Sequence, residues 1–171
     1  MIFIITGAIQ GGKTTFLKGL VNEIKQKDFQ VTGFLSESVR DKEMITGYDL
    51  FDIRRDKSVP FIRRTGEEFW EQIGPFFFVP GTLALAKQII LQSKGMDYCA
   101  VDEVGPLEVK GKGFWPALEE TVFSAFPDFL MTVRKDILEK VITKLEGADI
   151  QVYDTQDKDA FSRLVKAVCH E

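Results

Sequence analysis

The chain has one histidine among its 171 residues, His170, and only two cysteines, Cys99 and Cys169. A histidine-based catalytic triad is thereby excluded, and a histidine-ligated metal centre is disfavoured. Two distant cysteines make neither a disulfide framework nor a zinc spacing, and a reducing setting is the simplest one for them. Charge of one sign is also lacking: 22 Lys and Arg face 26 Asp and Glu, with both signs interspersed and a net charge of -4. Such a surface carries no electrostatic footprint for duplex nucleic acid or an anionic membrane. No apolar run approaches the ~20 residues that span a bilayer, and Met1 leads straight into IFIIT with no basic leader. The expectation is a cytoplasmic protein with neither a nucleic-acid nor a membrane partner. Repeats, low-complexity stretches and linkers are absent as well, so residues 1–171 read as a single domain, long enough to bury a core without metal or disulfide staples. Carboxylates and cations are left to do the chemistry.

The most informative stretch is GAIQGGKTT, Gly7 to Thr15. It fits the phosphate-loop spacing G-x-x-x-x-G-K-[ST], with Gly12, Lys13 and Thr14 closing the motif. An apolar run of strand length, Ile2 to Thr6, precedes it, and an amphipathic helix pattern, Lys13 to Lys27, follows. Gly7, Gly11 and Gly12 leave no Cβ in the way of N–H groups that turn inward around an anion. The helix opening at Lys13 adds its own unpaired N–H groups and its positive end. Lys13 is expected to reach the β/γ oxygens of a nucleotide, and Thr14 to give its hydroxyl to Mg²⁺.

The second informative stretch is VDEVGPLEV. Tyr98 to Val101 reads as an apolar strand that ends in Asp102 and Glu103, where an acid can meet the Mg²⁺ of a bound nucleotide. Asp102 alone would serve any Mg-nucleotide binder, whereas Glu103 adds a group that can orient or deprotonate water beside the γ-phosphate. Adjacent residues on a strand point to opposite faces, so the chain must leave regular strand geometry near Asp102 for both acids to act. Beyond them Gly105, Pro106, Gly111 and Gly113 read as a mobile loop.

Strands are expected at 30–36, 45–53, 59–62, 76–79, 129–133 and 150–153, and helices at 82–93, 114–125, 136–145 and 157–168. A hairpin turn is expected at Arg40 to Glu43. Strand and helix alternate in the second half, while the runs between 30 and 62 follow one another without a helix. The fold class is therefore α/β: a mainly parallel sheet with flanking helices, right-handed crossovers and an antiparallel insertion. Ligands in such sheets bind beyond the carboxyl ends of the strands, which places the phosphate loop, Asp102, Glu103 and Arg134 on one rim. Arg134 is the first candidate for a cation at the γ-phosphate, and Arg40 the second. The pairs Arg54-Arg55 and Arg63-Arg64 read as a solvated face, with a grip on nucleotide as the alternative, and Phe76 to Phe78 as core, with a stacking platform as the alternative.

These motifs resemble the small P-loop nucleoside-triphosphatases first described from thermophiles. The resemblance rests on GAIQGGKTT, on VDEVGPLEV, which is similar to the family's D-E-I-G-x-M-E, and on Gly33, Phe34, Glu37, Val39, Arg40, Gly47 and Tyr48, which stand in the family's order. It implies a RecA-like P-loop core and Mg-dependent hydrolysis of several nucleoside triphosphates to diphosphate and phosphate. It also implies nucleotide contacts at Gly7, Ala8, Ile9, Gln10, Gly11, Gly12, Lys13 and Thr14, beside which Thr15 completes the loop. The same holds for Val101, Asp102, Glu103, Val104, Gly105, Pro106, Leu107 and Glu108. Within that set the catalytic candidates are Lys13, Glu103 and Arg134, and the metal candidates Thr14 and Asp102. A P-loop kinase is the alternative, with the antiparallel insertion holding an acceptor. A GTP-dependent switch would want [NT]-K-x-D, and Thr143 to Glu146 has glutamate for aspartate inside an expected helix.

Overall fold

The structure, a computed structural model, describes residues 1–124 and 127–170. The chain runs β1 (Ile2–Gly7), α1 (Lys13–Gln26), β2 (Val31–Asp41), β3 (Met44–Asp52), β4 (Lys57–Arg63), β5 (Gln72–Ile73), β6 (Phe76–Phe78), α2 (Thr82–Leu91) and β7 (Tyr98–Val104). It continues with α3 (Pro106–Val109), α4 (Trp115–Thr121), β8 (Asp128–Arg134), a 3-10 turn (Lys135–Ile137), α5 (Leu138–Lys144), β9 (Ile150–Asp154) and α6 (Ala160–Cys169). The expected helix end at Ala125 lies outside the described residues.

All nine strands form one sheet, in the order β5-β6-β4-β3-β2-β7-β8-β1-β9. From β2 to β9 the ladders are parallel; from β2 to β5 they are antiparallel. The expected mixed α/β architecture is thus present, and the antiparallel part extends the same sheet. Strand β2 joins the two halves, parallel to β7 on one side and antiparallel to β3 on the other. Eleven residues long, it runs through the positions expected to begin a turn, and the hairpin reverses at Lys42-Glu43 instead.

Apolar runs without alternation in β1 and β8 reflect a core on both faces of the sheet. Ile2 and Ile4 pack with Phe129, Met131, α2 and α4, while Phe3 and Ile5 pack with Leu17, Leu20 and Ile24 of α1 and Leu164 of α6. Of the phenylalanine trio only Phe78 belongs to the core; Phe76 stays half-buried, its ring 5.8 Å from that of Tyr48 and beneath the Arg64 guanidinium at 5.4 Å. The arginine pairs are tied into the hairpin, Arg55 to the buried Asp52 at 2.7 Å and Arg63 to Asp49 at 2.5 Å.

At Gly33 the β2 and β7 backbones approach closely. A Cβ there would lie 1.9 Å from the Ala100 carbonyl oxygen, and φ is +117°, a region closed to L side chains. Gly33→Ala is expected to destabilise the fold by at least ~2 kcal/mol, read as a lower urea midpoint; a wild-type midpoint would show that the two strands have room to part.

Candidate active site

The loop after β1 reverses through Gln10 at φ 57° and Gly12 at φ 76°, the N-cap of α1. Gly11 N–H donates to the Ala8 carbonyl at 3.0 Å, closing the turn, and Thr155 from beyond β9 donates its hydroxyl to the Gly11 carbonyl at 3.2 Å. Lys13 is 4% exposed, because its side chain folds back over the loop and its Nζ donates to the Ala8 carbonyl at 2.8 Å. A cation is thereby held above a ring of backbone donors at a helix start, which is an anion site by construction.

Strand β8 lies between β1 and β7, so the strand bearing the loop and the strand bearing the acids do not touch. Thr132 of β8, the strand between them, joins the two acids to one another. Its hydroxyl donates to Asp102 Oδ1 at 2.5 Å and accepts the Glu103 N–H at 2.7 Å. The Ser36 N–H donates to the other Asp102 oxygen at 2.9 Å. The β7–β8 register slips between Val101 and Val104, where Glu103 takes φ 62°. This bulge is the departure from strand geometry that two adjacent working acids require. Asp102 is fully buried, whereas Glu103 opens into the cleft. Burial pushes both carboxyls above the usual range; for Glu103 the Asp102 charge adds to this and the cations Lys13 and Arg134 oppose it. Water reaches Glu103, but the surrounding walls keep it poorly solvated.

A cavity of about 630 Å³ is lined by Ile9 to Thr15 together with Ser36, Glu37, Arg40, Tyr48, Glu103 and Arg134. The loop, Glu103 and both candidate arginines therefore share one space. Arg134 is held at its wall by Asp136, through bonds of 3.0 and 2.5 Å, and Arg40 donates to the Glu43 carbonyl at 3.2 Å. Other expected positions lie elsewhere. Val101 and Val104 are fully buried in the core, while Gly105, Pro106, Leu107 and Glu108 line a neighbouring cavity. The segment expected as a mobile loop begins instead with α3, whose start is fixed by the buried Glu108 accepting the Gly105 N–H at 2.9 Å and the Phe114 N–H at 3.2 Å. Thr143 and Lys144 are spent on α5 and its packing: the hydroxyl bonds the Glu139 carbonyl and the ammonium sits 4.5 Å from the Trp115 ring.

The family model described as NTPase matches residues 2–165. The chain belongs to the NTPase family. A nucleoside-triphosphatase THEP1 from Metallosphaera sedula is 34% identical over 123 residues, 72% of this chain and 66% of that protein, so the match spans about two thirds of the relative's length. A second protein of that name, from Pyrobaculum islandicum, is 31% identical over 134 residues, 78% of this chain and 74% of its own. The solution structure of a human cancer-related nucleoside triphosphatase has the same fold, with a TM-score of 0.74 at 19% identity over 98% of this chain and 95% of that one.

Within this NTPase fold, Thr14 and Asp102 offer the oxygen atoms that a hard cation takes. Thr14 lines the phosphate-loop cavity, and Asp102, with both oxygens already accepting, would reach an ion there through water. Among the described residues no cluster of three His, Cys, Asp or Glu side chains could hold a metal by itself, so an ion here would lean on phosphate oxygens. Sequence reasoning missed Ser36, Lys18, which also lines the phosphate-loop cavity, and Thr132. The last left one signal, a hydroxyl inside the apolar strand FLMTV.

Thr132→Val should cost about 1–3 kcal/mol, because it strands a buried carboxylate oxygen and a backbone N–H. Urea unfolding checks this, with Thr132→Ser recovering most of the loss; an unshifted Thr132→Val midpoint would mean that water replaces the hydroxyl. Glu108 gives a pH signature. Burial lifts its carboxyl to about 7 from an ordinary glutamate value of 4.5, so between those values the folded chain holds a proton that the unfolded chain has released. Stability should therefore fall as pH rises across that window, by an amount on the order of 3 kcal/mol. Glu108→Gln should flatten the slope in denaturation midpoints taken across the window, whatever its absolute stability, and an unchanged slope would assign the effect elsewhere.

Proposed function

We propose that the chain hydrolyses nucleoside triphosphates to diphosphate and phosphate, with Mg²⁺ and with little preference among bases. The observation that carries this reading is the backbone of Glu103, which leaves the strand at φ 62° and opens its carboxylate into the phosphate-loop cavity beside Lys13 and Arg134. In this reading the N–H groups from Ile9 to Thr15 take the phosphates, with Gly7 and Ala8 shaping the loop behind them. Lys13 exchanges the Ala8 carbonyl for the β/γ oxygens. Thr14 and Asp102 would hold Mg²⁺, which would supply neutralisation of phosphate charge. Glu103 orients the attacking water and takes its proton, for which a carboxyl raised toward neutrality is better matched than an ordinary one. Arg134 leaves Asp136 to meet the charge on the γ-phosphate, with Arg40 as the second choice.

The two unpaired cysteines, and the lack among described residues of any helix long and apolar enough to cross a membrane, support a cytoplasmic setting. Residues 1–171 act as one domain in this reading.

Glu103→Gln keeps the volume and removes the charge, so Mg-ATP should still bind while single-turnover hydrolysis falls roughly 10²- to 10⁴-fold. Asp102→Asn should instead raise the Mg²⁺ concentration needed for turnover. If pre-bound ATP is hydrolysed at the wild-type rate by Glu103→Gln, Glu103 is not the base.

A further inference from the structure

A second cavity, of about 520 Å³, adjoins the first, and the two share four residues: Ser36, Tyr48, Glu103 and Arg134. The two differ in character. The phosphate-loop cavity is walled by backbone donors, hydroxyls and cations, whereas this one is walled by the rings of Phe61, Phe76, Phe78 and Phe114 and by Ile73 and Leu107. Phe61, Phe78 and Phe114 are fixed in the core, edge to face with Phe34 or tilted onto one another, so the wall is built and not a chance gap between loops. Its volume lies in the range that encloses a small ring compound. Water needs no such enclosure. An attacking water would occupy about 30 Å³, so one held at Glu103 leaves most of this volume, and all of its ring-lined wall, without an occupant.

Resting on the hydrolysis reading of the neighbouring cavity, we propose that this one binds a second small molecule, a planar and largely apolar ring compound bearing an alcohol, which replaces water as acceptor of the γ-phosphoryl group. Its ring lies against the phenylalanines and its hydroxyl reaches Glu103 at the junction of the two cavities. The alcohol oxygen forms a bond to the γ-phosphorus while the bond from that phosphorus to the β–γ bridging oxygen breaks. The hydroxyl proton passes to the Glu103 carboxylate, and the products are the nucleoside diphosphate and a phosphomonoester. Hydrolysis is then what the same residues do when the apolar cavity holds only water. Arg134 faces both cavities and is suited to the charge that moves between them.

The test uses naphthylmethanol as the probe with the full chain, Mg²⁺ and ATP labelled at the γ-phosphate. Binding is read separately from naphthalene fluorescence, without turnover. Ile73→Trp fills the cavity from the short edge strand β5, and Phe76→Ala removes one wall ring and guards against misfolding of the first variant. Expected are saturable binding, labelled naphthylmethyl phosphate appearing as free phosphate declines, and in both variants about a tenfold weaker binding with matching loss of ester while phosphate release in the absence of alcohol is retained. Binding that both variants leave unchanged, or no saturable binding, overturns the site. Binding lost in the variants but never accompanied by ester overturns the acceptor role and leaves an inhibitory or effector ligand. If the chain releases no phosphate from ATP alone, the hydrolysis reading fails; ester formed under those conditions would still uphold the acceptor.

Discussion

One hydroxyl organises this site. Thr132 sits in the middle strand of three, between the strand that carries the phosphate loop and the strand that carries the acids, and it is bonded at once to the Asp102 carboxylate and to the Glu103 backbone. A fully buried carboxylate is costly unless its oxygens are satisfied. Here the Thr132 hydroxyl and the Ser36 N–H satisfy it, one from each neighbouring strand. Those bonds tie β2, β7 and β8 together at their carboxyl-terminal side. They also hold the bulge that frees Glu103, since the N–H released from the ladder has Thr132 to bond. The buried acid Asp102 and the cleft-facing acid Glu103 are thus set by one polar cluster, and the positive-φ backbone at Glu103 has its N–H satisfied within it.

The cleft above this cluster has two chemical halves. Toward the loop, the donors are backbone N–H groups and cations suited to phosphate; toward the hairpin and α3, the walls are aromatic. Glu103 and Arg134 face both. The antiparallel half of the sheet therefore does more than lengthen the fold. It supplies Tyr48, Phe61, Phe76 and Phe78, none of which the parallel core could bring to the acids. Glu108, carried over from the family resemblance as a nucleotide contact, holds α3 against α4 and so shapes the aromatic half.

How much of this was legible in the chain depends on how local the cause is. The phosphate loop, the two acids and Arg134 lie at strand ends, and strand ends announce themselves by apolar runs that stop; all of these residues reach the same rim. The need for a break at Asp102 followed from the alternation of a strand, and the bulge is there. Features set by distant partners were not legible. Nothing near Arg40 in the sequence says that β2 continues past it, because the length of that strand is dictated by its pairing with β3. Pro106 to Val109 reads as loop because its helix turn is nucleated by a buried glutamate whose partners are Gly105 and Phe114. The apolar half of the cleft is drawn from separate stretches scattered between residues 36 and 134, and no single window contains it.

Strand β2 has a mechanical consequence. Its first residues are clamped into the parallel core, with Gly33 pressed against Ala100, and its last residues project as one arm of the hairpin. Ser36, two residues past the last pair with β7, is the residue whose N–H holds Asp102. The arm that reaches out to the hairpin tip is thus one continuous strand with the backbone that solvates the buried acid, so the outer edge of the sheet and the acid at its centre share a single stretch of chain.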